Sequence, residues 1–142
     1  VPDGLEPDAS VLLDEGIEAL GCRVEPEIVA PGGQLRLSCY FRAVQNVGRD
    51  YRVFVHLRGP QGELPSNGDH EPQLGFVRTS DWEPGVIQRD VSMFTAPHVE
   101  DTEVQVRFGL YRGAHRAVVS RPEASDEEGR LLGPTFRVQA TP

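Results

Sequence analysis

Residues 104–111 read Val-Gln-Val-Arg-Phe-Gly-Leu-Tyr, and residues 35–41 read Leu-Arg-Leu-Ser-Cys-Tyr-Phe. Apolar and polar side chains alternate along both stretches, which is the period-two pattern of a half-buried β-strand. Further runs of this kind occur at residues 17–24, 51–57, 76–79, 86–94, 116–120 and 136–138. Clusters of Gly, Pro, Asn and Asp separate the runs, and no helical apolar stripe interrupts them. The pattern predicts an all-β protein, a single antiparallel β-sandwich of seven to eight strands.

The composition fits one ordinary folded domain and excludes several functions. The 142 residues are 25% charged and 38% hydrophobic, and a chain of ~150 residues buries roughly two thirds of its unfolded surface. No apolar run approaches the roughly 18–20 residues that cross a bilayer. The net charge of −8 argues against nucleic acid as a partner. All 14 basic residues are arginine, so lysine Schiff-base chemistry and a P-loop lysine are excluded.

The negative charge is concentrated at the N-terminus. Residues 1–27 contain eight acidic side chains against Arg23 alone, which places −7 of the net charge of −8 there. We therefore divide the chain into an acidic N-terminal extension, residues 1–16, and a β-sandwich domain, residues 17–142.

The acidic extension contains one short apolar run, at Val11, Leu12 and Leu13. Such a run on a tail docks on a partner chain when it adds a strand to the partner's sheet. The alternative is a spacer that remains after a signal peptide or membrane anchor is removed. Because the chain starts at Val1 without an apolar leader, we expect such a removal.

The two cysteines fall at matched positions in neighbouring predicted strands. If residues 17–24 and 35–41 pair across the turn at residues 31–33, Cys22 lies opposite Cys39. Such a pair is a disulfide in an oxidising compartment, and otherwise two buried free thiols. The pair alone does not make a zinc site, because zinc takes four ligands.

His56, Asp69 and His70 form the cluster with ligand chemistry in the sequence. We expect a structural pair, in which His56 hydrogen-bonds Asp69 and holds the long loop 59–75 against the sheet. The alternatives are a metal site with two histidines and one carboxylate, and a triad of Ser66, His56 and Asp69, although no strained nucleophile motif surrounds the serine. We expect no metal, no cofactor and no catalytic residue.

Four aromatic side chains are candidates for a glycan-binding platform: Trp82, Tyr40, Tyr51 and Tyr111. Their flat faces suit stacking on pyranose rings, and nearby arginines suit the hydroxyl groups. The alternative is that Trp82, which precedes a Pro-Gly turn, fills one end of the sandwich core.

Several elements of the sequence resemble a known module. They are, in order, Val53-Phe54-Val55-His56-Leu57, Gly62, Asp69-His70, Pro72, Gly75, Thr79, Trp82, Pro84-Gly85, Asp90, Gly109-Leu110-Tyr111 and Arg116. Over residues 17–138 the chain is similar to a soluble, jelly-roll-like β-sandwich domain, which forms the C-terminal end of some bacterial multi-spanning membrane glycosyltransferases. The resemblance implies a β-sandwich fold and an extracytoplasmic location, in the periplasm or cell envelope.

The sequence departs from that family at three places and lacks its transferase portion. Arg78 replaces a proline, Val86 replaces a glutamate, and residues 104–106 replace a Gly-x-Tyr step. Catalysis in the resembling enzymes belongs to the membrane portion, so the likeness implies no activity. We expect a non-enzymatic interaction module, an accessory or structural subunit that contacts other proteins of a membrane-associated envelope assembly. A carbohydrate-binding module is the alternative, and a small hydrolase or metal-site protein is the third.

Overall fold

The computed structural model describes residues 10–66, 68–75 and 77–140. Over these residues the fold is an all-β sandwich of two packed sheets, as predicted. The strands are β1 (Val11–Leu12), β2 (Ile17–Glu25), β3 (Ile28–Val29), β4 (Gln34–Ala43), β5 (Arg52–Gly59), β6 (Gly62–Leu64), β7 (Ile87–Thr95), β8 (Thr102–Arg112), β9 (His115–Arg116) and β10 (Leu131–Val138). Short 3₁₀ helices lie at Asp14–Gly16, Pro72–Gly75, Thr79–Asp81 and Pro122–Ala124.

The strands form a small sheet and a large sheet. The small sheet has the order β1-β2-β4-β7, and the large sheet has the order β3-β10-β8-β5-β6, with β9 paired to β8. The strand pairs are antiparallel except for β3 and β10, which are parallel. The described residues hold more strands than predicted, because β1, β3 and β6 are too short to show an alternating pattern. The predicted run at residues 76–79 forms no strand over its described residues 77–79, and the run at residues 116–120 contributes only Arg116 to β9. No helix among the described residues is long and apolar enough to cross a membrane.

A disulfide joins the two central strands of the small sheet. Cys22 of β2 lies opposite Cys39 of β4 and the two sulfur atoms are bonded, which confirms the predicted pair. The register changes by one residue between Ala19 and Gly21, where β2 bulges. Gly21 has a φ of 119°, which glycine adopts without the steric clash of a side chain. Because of the bulge, Ile17 and Cys22 of β2 both point towards the core, on the same side of the sheet as Cys39.

Strands β5 and β8 form the centre of the large sheet. Val53, Val55 and Leu57 of β5 have no exposed surface and face the core. Phe54 lies opposite Gly109 of β8, where a Cβ atom would come within 2.6 Å of the phenyl ring. The glycine therefore leaves room for Phe54 on the outer face of the sheet.

Aromatic side chains join the two sheets through the core. Phe41 of β4 lies 5.8 Å from Trp82 and 6.4 Å from Phe108 of β8, measured between ring centroids. Trp82 is 2% exposed, so it is a core residue. This supports the core alternative for the tryptophan and removes it from the glycan platform.

The predicted extension, residues 1–16, needs correction from Val11 onwards. Strand β1 pairs with β2, and Val11 and Leu13 are 4% and 5% exposed in the core. These two side chains are therefore unavailable to a partner, whereas Leu12 is 45% exposed. Residues 1–9 lie outside the described residues.

Acidic residues between β1 and β2 tie the small sheet to the large one. Asp14 accepts a hydrogen bond from the backbone N–H of Val118 at 2.9 Å and also pairs with His115 of β9. Glu15 accepts a hydrogen bond of 2.6 Å from the hydroxyl of Tyr51, which precedes β5. The acidic charge of this segment thus has specific partners within the sandwich.

We expect reduction of the disulfide to lower the free energy of unfolding by about 3 kcal/mol, because the bond closes a loop in the unfolded chain. The cysteines are 17 positions apart. Urea unfolding of the same protein with and without reductant measures the difference. Intact mass after alkylation verifies the redox state, and equal stability of the two forms contradicts this expectation.

Leu12 and Leu13 give a matched test of the corrected domain boundary. Leu13→Ala should lower the free energy of unfolding by about 2–5 kcal/mol, since it opens a cavity in the core. Leu12→Ala should change it by about 0.5 kcal/mol or less, because this side chain faces solvent. Chemical denaturation of both variants measures these changes. If both variants lose only a small and similar amount of unfolding free energy, residues 11–13 are a detachable arm after all.

Candidate functional site

The outer face of the small sheet presents basic and apolar side chains together. Alternation along β2, β4 and β7 directs every second residue away from the core. We call this surface the basic face. Its residues are Glu18, Arg23, Glu25, Arg36, Tyr40, Arg42, Ile87, Arg89, Val91 and Met93.

The charge of the basic face is opposite to that of the whole chain. Four arginines against two glutamates give this face a net charge of +2, whereas the chain carries −8. Two cross-strand ion pairs order the face, Arg36 with Glu25 at 3.1 Å and Arg42 with Glu18 at 3.0 Å. Arg89 is exposed and forms no ion pair with any residue that the structure describes. The face therefore keeps an excess of positive charge.

Apolar side chains on β7 are exposed beside these arginines. Met93 is 55% exposed and Ile87 is 38% exposed. Met93 also lines a shallow hollow of about 400 Å³ with Arg36 and Pro26. Exposed apolar side chains next to fixed charges are typical of protein-binding surfaces.

A recess on the outer face of the large sheet brings several predicted residues together. His56 and Asp69 line it together with Tyr111 of β8 and Phe54 of β5. Residues 113–116, which turn from β8 into β9, complete the lining, and the volume is about 200 Å³.

The predicted hydrogen bond between His56 and Asp69 does not form. Asp69 accepts the backbone N–H of Val55 at 2.9 Å, and His56 Nδ1 lies 3.1 Å from the guanidinium of Arg130. Asp69 therefore anchors its loop to the sheet through the backbone. No pattern in the sequence indicated Arg130 as the partner of His56, because the two residues are 74 positions apart.

Arg130 belongs to a buried charge cluster that fastens the 117–130 loop over the large sheet. Its guanidinium pairs with Asp126 at 2.8 Å, and Arg107 of β8 pairs with the same carboxylate at 2.7 Å. Burial alone would raise the pKa of Asp126, but hydrogen bonds from the Arg130 backbone and both guanidinium groups outweigh it. They hold the pKa of Asp126 well below its usual range. The charge cluster therefore stays ionised and holds Arg130 against His56.

His70 turns towards the other sheet and joins the two layers. Its Nε2 lies 2.6 Å from Asp90 of β7, and its Nδ1 lies 2.6 Å from the carbonyl oxygen of Gly68. The backbone of His70 also pairs with Val53 of β5. His70 thus bridges the edges of the two sheets, which closes one side of the sandwich.

The positions of these residues do not support the two alternatives, a metal site and a catalytic triad. Among residues 10–66, 68–75 and 77–140, no group of three His, Cys, Asp or Glu side chains is placed to hold a metal ion. Ser66 lines a different hollow, of about 330 Å³, beside Pro97 and Val99. It is therefore not placed as a nucleophile in the recess that contains His56.

The four predicted aromatic residues do not form one platform, which corrects that expectation. Trp82 and Tyr51 are each 2% exposed. Tyr40 lies on β4 of the small sheet and Tyr111 on β8 of the large sheet, so they face opposite sides of the sandwich. Alternation places single aromatic residues correctly on a face, but it does not reveal which sheet each strand joins.

Comparisons with known proteins do not identify the chain. No protein-family model matches it, and no curated protein sequence matches it. The resemblance to a glycosyltransferase C-terminal domain therefore stays a prediction, and the functional argument rests on the two outer faces.

His70 should make the stability of the fold depend on pH. Burial alone lowers its pKa, but the hydrogen bond and charge of Asp90 outweigh burial and raise the pKa above its ordinary value of 6.5. The stabilisation is complete below about pH 6.5, the pKa in the unfolded chain, and is lost as pH rises through the raised native pKa. We expect the free energy of unfolding to fall over that window.

Urea unfolding followed by the fluorescence of the buried Trp82, between about pH 5.5 and pH 9, measures this slope. His70→Asn should remove it, and His98→Asn, at an exposed histidine, should preserve it. The same pH dependence in wild type and His70→Asn would show that the contact between His70 and Asp90 contributes nothing to the pH dependence of stability.

Proposed function

We propose that this protein is a non-catalytic, extracytoplasmic interaction module of the periplasm or cell envelope. It acts as an accessory or structural subunit of a membrane-associated envelope assembly and contacts other protein subunits. The observation that carries the proposal is the basic face, an ordered sheet surface with exposed Met93 and Ile87 beside arginines.

The expected partner surface is acidic with apolar side chains. The face has an excess of positive charge, and Arg89 lies opposite Tyr40 at its centre. Charge complementarity of this kind speeds encounter and selects the partner, while apolar contact supplies most of the affinity. A second copy placed face to face is disfavoured, since the arginines of the two copies would meet.

The disulfide supports the proposed location. A bond between Cys22 and Cys39 persists in oxidising compartments, which include the bacterial periplasm, and is rare in the cytosol. The resemblance to an extracytoplasmic domain of membrane enzymes agrees with this location. Membrane association would come through a partner subunit.

The lining of the recess supports a non-catalytic role. Its residues include no serine, threonine or cysteine, so the recess supplies no aliphatic hydroxyl or thiol nucleophile. Asp69 is the one carboxylate of that lining, whereas glycoside hydrolysis uses two carboxylates across a cleft. The carbohydrate-binding alternative draws support from the same recess, since sugar binding requires neither a nucleophile nor a second carboxylate.

Site-specific photocrosslinking tests the partner. Benzoylphenylalanine at Met93 should crosslink to one envelope protein in native membranes, through an acidic peptide that mass spectrometry identifies. The same group at Leu132, a similarly exposed position on the large sheet, is the matched control and should give none. The yield at Met93 should fall as salt rises from about 50 to 200 mM, because exposed charges are screened.

Arg89→Glu should lower the crosslinking yield at Met93 by reversing one charge of the basic face, two outward-facing positions along β7 from Met93. Arg78→Glu makes the same change in an exposed loop away from the face and should leave the yield unchanged. Equal crosslinking yields at Met93 and Leu132 would contradict the proposed surface. An unchanged yield at Met93 in Arg89→Glu would contradict it as well.

A further inference from the structure

The recess on the large sheet has the form of a small-ligand site. A row of rings along β5 and β8 lies beneath it, with Phe54 4.9 Å from His56 and 6.3 Å from Tyr111. The guanidinium of Arg116 lies over the Phe54 ring, 4.6 Å from its centre, and covers this ring, which is 2% exposed. The volume of about 200 Å³ is smaller than the roughly 300–1,000 Å³ of sites for drug-sized ligands.

The contact with Arg130 fixes which ring nitrogen of His56 faces a ligand. A guanidinium only donates hydrogen bonds, so His56 Nδ1, 3.1 Å from Arg130, must be the acceptor. The proton of the neutral imidazole therefore lies on Nε2. No described residue accepts a hydrogen bond from Nε2, so the ring offers a donor of fixed position at the recess.

Asp69 and Tyr111 supply the complementary groups. One carboxylate oxygen of Asp69 accepts the Val55 N–H, and no residue of the described chain donates to the other oxygen. The hydroxyl oxygen of Tyr111 accepts from Arg52 at 3.1 Å, which leaves its own proton for a ligand. Two donors and one acceptor thus line the recess.

The charges around the recess balance. Arg116 is countered by Asp69 in the lining, and Arg52 at the rim pairs with Glu71 at 3.4 Å. His115, which also lines the recess, pairs with Asp14. A phosphate or another strong anion would need an excess of positive charge here. The balance instead suits a neutral ligand with several hydroxyl groups.

We propose that the recess binds one neutral sugar ring through hydrogen bonds between its hydroxyl groups and His56, Asp69 and Tyr111. A hexose carries adjacent hydroxyl groups that both donate and accept, which matches this arrangement of donors and acceptor. The site lies on the sheet opposite the basic face, so a sugar and a protein partner occupy different surfaces.

Nuclear magnetic resonance titration of the whole chain tests the site. The probes are methyl glucoside, methyl galactoside and methyl mannoside, compared with glucuronate and inorganic phosphate. At least one neutral glycoside should bind with a dissociation constant on the order of 1 mM and shift the resonances of His56 and residues 113–116. Tighter binding of an oligosaccharide than of its methyl glycoside would identify a polysaccharide as the source of the ring.

Conservative variants separate recognition from folding. Tyr111→Phe should weaken binding about threefold to tenfold, because it removes one hydrogen bond. Asp69→Asn should weaken it further, since it keeps the bond to Val55 but places an amide where an acceptor is needed. Tyr40→Phe makes the same change as Tyr111→Phe on the opposite sheet and should bind like the wild type. Thermal unfolding of each variant verifies the fold.

Three results would overturn the sugar site. They are no binding of any neutral glycoside up to about 50 mM, preferential binding of glucuronate or phosphate, and unchanged affinity in Tyr111→Phe and Asp69→Asn. Each outcome leaves the crosslinking at Met93 unaffected, so failure of the sugar site and failure of the protein interface are distinguishable.

Discussion

A β-strand that buries one row of side chains must expose the next row, and this alternation governs the whole molecule. On β5 the core takes Val53 and Val55, which leaves Phe54 and His56 outside. The two sheets close over one core, so their outer faces point in opposite directions. One face collects arginines around exposed apolar side chains, and the other collects rings with balanced charges. Two chemically different surfaces therefore follow from one packing constraint.

The parts of the fold that depend on local pattern were predictable. Period two identified the long strands, and pairing across a tight turn placed Cys22 opposite Cys39. The polar partners were not predictable, since loop residues carry no periodicity and their contacts span distant positions. His70 pairs with Asp90, 20 positions away, and His56 meets Arg130, 74 positions away. The sequence therefore indicated which residues have functional side chains, and the structure shows which of them contact each other.

Charge patterning misplaced the N-terminal boundary for a definite physical reason. Acidic density is a property of composition, whereas Asp14 and Glu15 act as individual hydrogen-bond acceptors for the opposite sheet. The apolar run beside them was too short to alternate visibly, although Val11 and Leu13 fill the core. An acidic segment with apolar residues at every second position is therefore better interpreted as an edge strand than as a tail.

Both outer faces are supported by covalent and polar interactions within the sandwich. The disulfide and two cross-strand ion pairs order the small sheet, and the cluster of Asp126, Arg107 and Arg130 holds a loop against the large sheet. A surface that is ordered before binding loses less conformational entropy when a partner arrives. With the core between them, a ligand on one face does not compete with a partner on the other. The proposed sugar and the proposed protein partner can therefore be bound to this domain at the same time.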